Sequence, residues 1–433
     1  MAQCKSTLFV QIEKDLLIYK TKNMQSKNSK NVSRRSFMYS LGSAGIALGL
    51  TGVGCNNIKS SDKEKELIPG FETSESESKK IWEPFSDKKV KVGIAGYGTC
   101  AFGAHFGFQN HPNVEVVAVT DLIPERCKKL AEVCNCKKTY PSCEEMIKDK
   151  NIDAVFIATD APSHARLSIE ALNNGKHVAC AVPAVWGANG KKEADMLYNA
   201  VKKSGKKYMM YETSAFRDTC YRWMKKYQAD EFGKIIYSEG EYYHVGVEKL
   251  TAYNPKTGKV DLNGWRKGLP PLWYPTHSTA FYVCVTGKRL TDVSCLGMPS
   301  IVKEIQAENN PYKNPFGTEI ALMRTSEGGM SRMAVSWDMH NAHGEKGRLY
   351  GQKEIDDSNP IDVRPALPPD MPAGGHGGSH GHLTCNFIES ILLDKTPLVD
   401  ISTSLNLTLS GIVAHQSALK DGEWMKIPQY ISI

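Results

Sequence analysis

Three groups of residues in this chain have types and spacings that could do chemistry. The first is Gly96-Tyr97-Gly98-Thr99-Cys100-Ala101-Phe102-Gly103, which follows the apolar run Val90 to Ala95 and leads into a helical pattern ending at Asn110. Glycines at such a strand-to-helix turn let the backbone approach a pyrophosphate, and the helix N-terminus offers amide donors to its charge. Gly96, Gly98, Thr99 and Gly103 are the candidate contacts, although Ala101 replaces the usual third glycine and Gly103 comes two positions late. The second is Asp121, at the end of the apolar strand Val114 to Thr120. An acid there accepts from both ribose hydroxyls of a dinucleotide and repels a 2′-phosphate, so NAD is expected rather than NADP. The third is a set of histidines: His277 in Tyr274-Pro275-Thr276-His277, and His376, His380 and His382 in the stretch Gly374 to His382. A near-neutral imidazole can take the proton of a carbinol whose hydride leaves. His277 is the expected base, with Tyr274 sharing the proton, Glu212 orienting it or serving as a second base, and Arg266 or Lys267 polarising an oxygen.

Each group has a plainer alternative. His277 reads also as a satisfied histidine between domains, His164 as a helix-start residue, and Tyr274 and Trp265 as core aromatics. The glycine- and histidine-rich stretch is expected to be a loop over substrate, with His376 and His380 bonding hydroxyls before a helix Leu383 to Leu393. A metal site there is the alternative, as is zinc at Cys127, Cys134, Cys136 and Cys143. No metal is expected. The four cysteines fall on two helices and a strand, where a thiol behaves as a small buried hydrophobe.

These residues need a scaffold, and the apolar periodicity supplies one. Helices Glu125 to Cys134, Cys143 to Asp149 and Ser163 to Asn173 alternate with strands Lys138 to Thr139, Ala154 to Thr159 and His177 to Val182, which predicts a doubly wound parallel sheet. Thr159 to His164 then lies at a strand's carboxyl end, where such sheets bind ligands. Farther on, strands Ile235 to His244, Asp292 to Gly297, Glu319 to Thr325 and Met330 to Trp337 alternate only in part, as in a sheet with one covered face. A second subunit on the other face would make a homo-oligomer.

The 433 residues, 41% apolar and 23% charged, exclude collagenous, disordered and many-spanning membrane proteins. Much of the basic excess behind the formal charge of +7 sits near the N-terminus, and no basic stripe with interleaved aromatics follows, so no nucleic-acid partner is expected. Ser33-Arg34-Arg35-Ser36-Phe37-Met38, the uncharged run to Gly54 and then Cys55 match a twin-arginine export signal over residues 1–55, a single membrane helix being the alternative. Cys55 is a candidate lipid attachment site that would tether the chain to the cell envelope. The expected location is periplasmic or envelope-anchored. Residues 56–88, rich in Ser, Glu, Lys and Asp, read as a solvated linker.

Residues 90–427 resemble the Gfo/Idh/MocA oxidoreductases. The likeness rests on the glycine-rich turn, Val119-Thr120-Asp121, Ala158-Thr159-Asp160-Ala161-Pro162-Ser163-His164 and Gly175-Lys176-His177-Val178. It implies an α/β fold: an N-terminal doubly wound Rossmann domain (89–211) that binds NAD, followed by an α+β domain (212–433) with an open, mainly antiparallel sheet. Sugars or inositols would lie between the two. Thr159, Pro162, His164, Ala181 and Pro183 would join the cofactor contacts. Where that family has Glu-Lys-Pro this chain has Ala181-Val182-Pro183, so lysine-assisted proton transfer is missing. A narrower resemblance, to NAD-dependent α-N-acetylgalactosaminidases, rests on Trp265-Arg266, Tyr274-Pro275-Thr276-His277, Tyr242-Tyr243-His244 and Gly374-Gly375-His376-Gly377-Gly378. Those enzymes keep their cofactor while they oxidise, eliminate, hydrate and reduce again. The likeness implies substrate contacts at Tyr243, His244, Trp265, Arg266, His376 and His380, although those enzymes' glutamate and tyrosine are Ala181 and Phe216 here. The expected function is NAD-dependent oxidation of a sugar or glycoside ring carbinol with a tightly held cofactor. A redox-neutral glycosidase or lyase and a non-catalytic sugar-binding lipoprotein are the alternatives.

Overall fold

Strand β1 (Val90–Ala95) opens a six-stranded sheet, and most of its side chains are buried because helices cover both faces. The structure, a computed structural model, describes residues 68–71, 81–98, 100–246, 252–253, 260–261, 264–339, 343–358 and 361–433. The export signal with Cys55, most of the linker, and Thr99 lie outside the described residues. In chain order the first half runs β1, α1 (Phe102–His105), β2 (Val114–Thr120), α2 (Pro124–Val133), β3 (Thr139–Tyr140), α3 (Cys143–Ile147), β4 (Ala154–Ile157), α4 (His164–Asn173), β5 (His177–Cys180), α5 (Gly190–Ser204) and β6 (Tyr208–Met210). The sheet order is β3-β2-β1-β4-β5-β6 and every pair is parallel. The direction of winding reverses between β1 and β4, which opens a crevice above their carboxyl ends.

The second half contains α6 (Asp218–Gln228), β7 (Ile235–Tyr243), a small antiparallel ribbon of β8 (Ala252–Tyr253) and β9 (Val260–Asp261), α7 (Thr276–Thr286), β10 (Leu290–Pro299), β11 (Phe316–Thr325), β12 (Met330–Ser336), β13 (Gly344–Gly351), α8 (His380–Leu392), α9 (Ile401–Ala418) and β14 (Met425–Lys426). Its main sheet has the order β13-β7-β12-β11-β10-β14, antiparallel except for β7 beside β12. Every residue of α7 is buried, because this helix lies between the sheet and its neighbours. The opposite face leaves Leu296, Met298, Ile320 and Leu322 exposed.

Several elements depart from the expectation. The first helix stops at His105 instead of running to Asn110, because Gly107 turns the chain at φ +75°. The His-rich stretch becomes helical at His380, before Leu383. Edge strand β13 has no counterpart in the sequence reading because its Gly-Glu-Lys-Gly-Arg start has no apolar alternation. The linker is not wholly solvated: Ile68 and Phe71 are buried, and the Phe71 ring meets Tyr221 edge-on at 4.9 Å.

Candidate active site at the carboxyl ends of the first sheet

A cleft of about 430 Å³ occupies the crevice. Its walls are Gly96, Gly98 and Cys100 to Phe102 from the glycine-rich turn, Asp121 to Ile123 after β2, and Ala158 to Asp160 after β4. At Gly96 φ is +102° and a Cβ would lie 2.3 Å from the Ala158 carbonyl oxygen, so only glycine allows this turn. A Cβ at Gly103 would lie 2.2 Å from the Gly96 carbonyl oxygen. Gly103 therefore does the close helix–strand packing of the fingerprint's third glycine, while Ala101 takes a left-handed conformation at the start of α1. Asp121 accepts from the Tyr97 amide through Oδ2 at 2.7 Å and from the Ile123 amide through Oδ1 at 2.8 Å. It ties the turn to the end of β2 and still faces the cleft. Bare backbone at the turn, a carboxylate at the ribose position and Arg126 and Arg166 on the wall fit a dinucleotide.

Phe102 joins this cleft to a histidine cluster, its ring 6.0 Å from His376 and 6.2 Å from His380. His277 sits in the first turn of α7. Its Nδ1 lies 2.8 Å from Oε1 of Glu212, a fully buried carboxylate that also accepts from the Ser214 amide at 2.9 Å. Burial opposes charge on this imidazole, but the carboxylates of Glu212 and Glu345 outweigh it and carry His277 up to about 9. Burial likewise works against the Glu212 charge, and the neighbouring His277 brings that carboxyl below its usual range. Glu345 Oε2 accepts from Ser214 Oγ at 2.7 Å and pairs with Arg217 Nη2 at 2.8 Å.

Across from His277, the His376 ring lies 6.3 Å away and nearly parallel, at 19°. Its Nδ1 is 2.8 Å from His380 Nε2, and His380 Nδ1 is 3.2 Å from the His105 carbonyl oxygen. Burial and the His277 charge lower His376, while burial and His376 take His380 down to about 4. At neutral pH a charged imidazole thus faces a neutral one. Neighbouring groups with pKa values pushed apart in this way divide into a proton donor and a proton acceptor.

Residues 90–212 match the Gfo/Idh/MocA model, described as an oxidoreductase family with an NAD-binding Rossmann fold. The nucleotide-binding half is a Gfo/Idh/MocA domain. Glycosyl hydrolase family 109 protein 1 of Bacteroides fragilis is 30% identical over 188 residues, 41% of this chain and 40% of that protein. Glycosyl hydrolase family 109 protein 5 of Phocaeicola vulgatus is 31% identical over 301 residues, 63% of this chain and 56% of that protein. This chain therefore covers roughly half, or less, of these two relatives' own lengths. Among solved structures, scyllo-inositol dehydrogenase from Lactobacillus casei, with bound NAD(H) and scyllo-inositol, superposes with a TM-score of 0.59 at 16% identity. That superposition covers 78% of this chain and 99% of the other, and shows the fold.

Within the Gfo/Idh/MocA domain, Gly96, Gly98, Asp121 and Thr159 line the cleft, joined from the second half by Trp265 and Arg266. Pro162, His164, Ala181 and Pro183 do not. His164, almost fully buried, has Nδ1 2.9 Å from the Pro183 carbonyl oxygen and Nε2 3.3 Å from that of Thr159. It staples the ends of β4 and β5 together instead of meeting a cofactor. His380 is corrected similarly: 3% exposed and 4.3 Å from the Phe106 ring, it backs His376 and does not present itself to a hydroxyl. For His277, expected as the base, the neighbouring Glu212 and Glu345 carboxylates favour the charged form.

Tyr243 points away from the cluster, toward Glu241 and Arg332. Strand alternation turns Tyr242 inward with Gly240, and its ring meets His277 at 4.8 Å. Tyr274 lies 5.7 Å from the His277 ring, and His244 lies 6.0 Å from Tyr242. The Arg266 guanidinium stacks 4.0 Å over Trp265 and lies within electrostatic reach of Tyr242 and Tyr274. Sequence reasoning missed Tyr242, which the parity of β7 could have found, and Arg217 and Glu345, for which the sequence held no signal. Among the described residues no three His, Cys, Asp or Glu side chains converge as a metal site. Burial pushes the Cys134 thiol up to about 12.

Proposed function

We propose that this chain is an NAD-dependent oxidoreductase that oxidises a ring carbinol of a sugar or glycoside and keeps its cofactor through turnover. The observation that carries this reading is the dinucleotide cleft whose wall residue Phe102 packs against His376, the imidazole that faces His277. Bound NAD would supply the hydride acceptor, as it does in dehydrogenases generally. The carbinol carbon gives up its hydride and the hydroxyl gives up its proton. His376 is the group able to take that proton, and His277, held charged by Glu212, stabilises the oxygen as negative charge gathers there. Tyr242, Tyr274 and Arg266 surround the same point.

A redox-neutral glycosidase is the second reading, favoured by the family 109 relatives and by Ala181-Val182-Pro183, which leaves the strand end without the lysine used in simple dehydrogenation. In that case His277 and His376 would serve as acid and base in elimination and hydration, with the hydride returning to the same sugar. Purified protein decides between the readings. Absorbance near 340 nm that rises and stays on adding glycosides indicates net oxidation. Aglycone release without lasting reduction indicates the glycosidase. Neither signal across a broad panel, with NAD bound, leaves only sugar binding.

The twin-arginine pattern supports folding around NAD before export, with a tether at Cys55 and return of the hydride in place, since free NAD is scarce outside the cytosol. The exposed Leu296, Met298, Ile320 and Leu322 support a homo-oligomer through the open face of the second sheet. Light scattering that gives only monomer at micromolar concentration would remove the oligomer.

A further inference from the structure

A second buried His–carboxylate pair lies behind the active site and has no role in the chemistry described above. Glu319 of β11 is fully buried, and its Oε1 lies 2.7 Å from Nδ1 of His415 on α9. Its Oε2 accepts from the backbone amide of Leu272 at 2.7 Å. Leu272 belongs to the short 3₁₀ turn Pro271–Trp273, which runs directly into Tyr274-Pro275-Thr276-His277. The His415 ring meets Trp273 edge-on at 5.5 Å and Phe316 at 6.1 Å.

Through the Leu272 amide and the Trp273 ring the pair bears on the turn that sets where α7 begins. The backbone of α9 closes on it as well: a Cβ at Gly411 would lie 2.1 Å from the Leu272 carbonyl oxygen and 2.4 Å from Pro275. A buried carboxylate with both oxygens engaged is costly to place, and it holds its partners in one geometry only while all of them are present. Since His277 sits five residues beyond Leu272 on a stiff turn and helix start, a shift at Leu272 is carried to the imidazole.

We infer that Glu319 and His415 are positioning residues, holding the Pro271–Trp273 turn so that Tyr274 and His277 meet the reacting carbinol. This rests on the functional reading above and adds two residues that touch neither cofactor nor substrate.

The test is single-turnover reduction of bound NAD by a glycoside that the wild-type protein accepts, expressed per bound NAD, with KM measured alongside. Glu319→Gln keeps the shape of the side chain and loses its charge. The expected result is a rate per bound NAD lower by about tenfold or more, the scale of losing near-attack geometry, with KM and NAD content close to wild type. His415→Gln leaves the Glu319–Leu272 bond in place and should give a smaller loss of the same kind, and it serves if Glu319→Gln does not fold. Variants that melt earlier but keep the wild-type rate per bound NAD would show a merely structural pair and overturn the inference. A wild-type protein that reduces its NAD with no glycoside overturns the functional reading, and the inference falls with it.

Discussion

Glu212 Oε1 and His277 Nδ1 lie 2.8 Å apart, with the carboxylate wholly withdrawn from solvent. One residue follows the last strand of the nucleotide-binding sheet and the other opens a helix of the second half, so the contact joins the two halves where the chemistry is expected. It also holds a proton on the imidazole at neutral pH.

The pH dependence follows from that proton and from its absence on the facing ring. His376 must be neutral to accept, so activity should rise as pH climbs through a value below the ordinary 6.5 of imidazole. His277 must be charged, so activity should fall as pH passes about 9. Glu212→Gln removes the charge that holds the His277 proton, and should move the alkaline limb to lower pH and narrow the bell. His277→Ala should slow turnover by about 10²–10⁴-fold while NAD stays bound. An alkaline limb that does not move in Glu212→Gln would take His277 out of the mechanism.

Strand parity predicts opposite results from two adjacent tyrosines. Tyr242→Ala removes a ring lying against His277 and should lower kcat/KM by at least about tenfold. Tyr243→Ala alters the other face of the sheet and should leave kcat/KM near wild type. Steady-state kinetics on the two variants suffices, and equal losses would contradict the inward turn of Tyr242.

Gly103→Ala places a methyl group against the Gly96 carbonyl oxygen. Overpacking of this kind costs about 1–3 kcal/mol, and here it would also push on the phosphate turn. The expected outcome is a lower unfolding midpoint together with less NAD in the purified protein, read by calorimetry and by the absorbance of released cofactor.

Asp121→Ala strips the acceptor from the half-buried Tyr97 and Ile123 amides, a loss of about 0.5–1.5 kcal/mol per hydrogen bond. It should also weaken NAD binding and relax discrimination against NADP. Cofactor content equal to wild type would place the ribose elsewhere.

Much of this arrangement was legible in the residues. The apolar runs Val92 to Ala95 in β1, Val116 to Val119 in β2 and Ala154 to Ile157 in β4 specify buried parallel strands, because only a sheet covered on both faces hides such runs. Gly96 and Asp121 were legible because turn geometry and ribose recognition act over a few residues. Local rules could not show that Gly103 would serve as the third glycine from a shifted position, which depends on how far α1 leans on the turn. Nor could they show that His164 and His380 are spent on carbonyl groups, since Pro183 and His105 reach them only through the folded chain.

The amino-acid sequence by itself determined the nucleotide-binding sheet, the site of its phosphate turn and the candidacy of His277, because hydrophobic period and turn chemistry are short-range. Only the tertiary structure decided which protonation state His277 holds, that Glu345 and Arg217 belong beside it, and that Tyr242 rather than Tyr243 faces it. Those outcomes come from desolvation and from charges brought together by strands and helices far apart in the chain, and such fields exist only once the chain has folded.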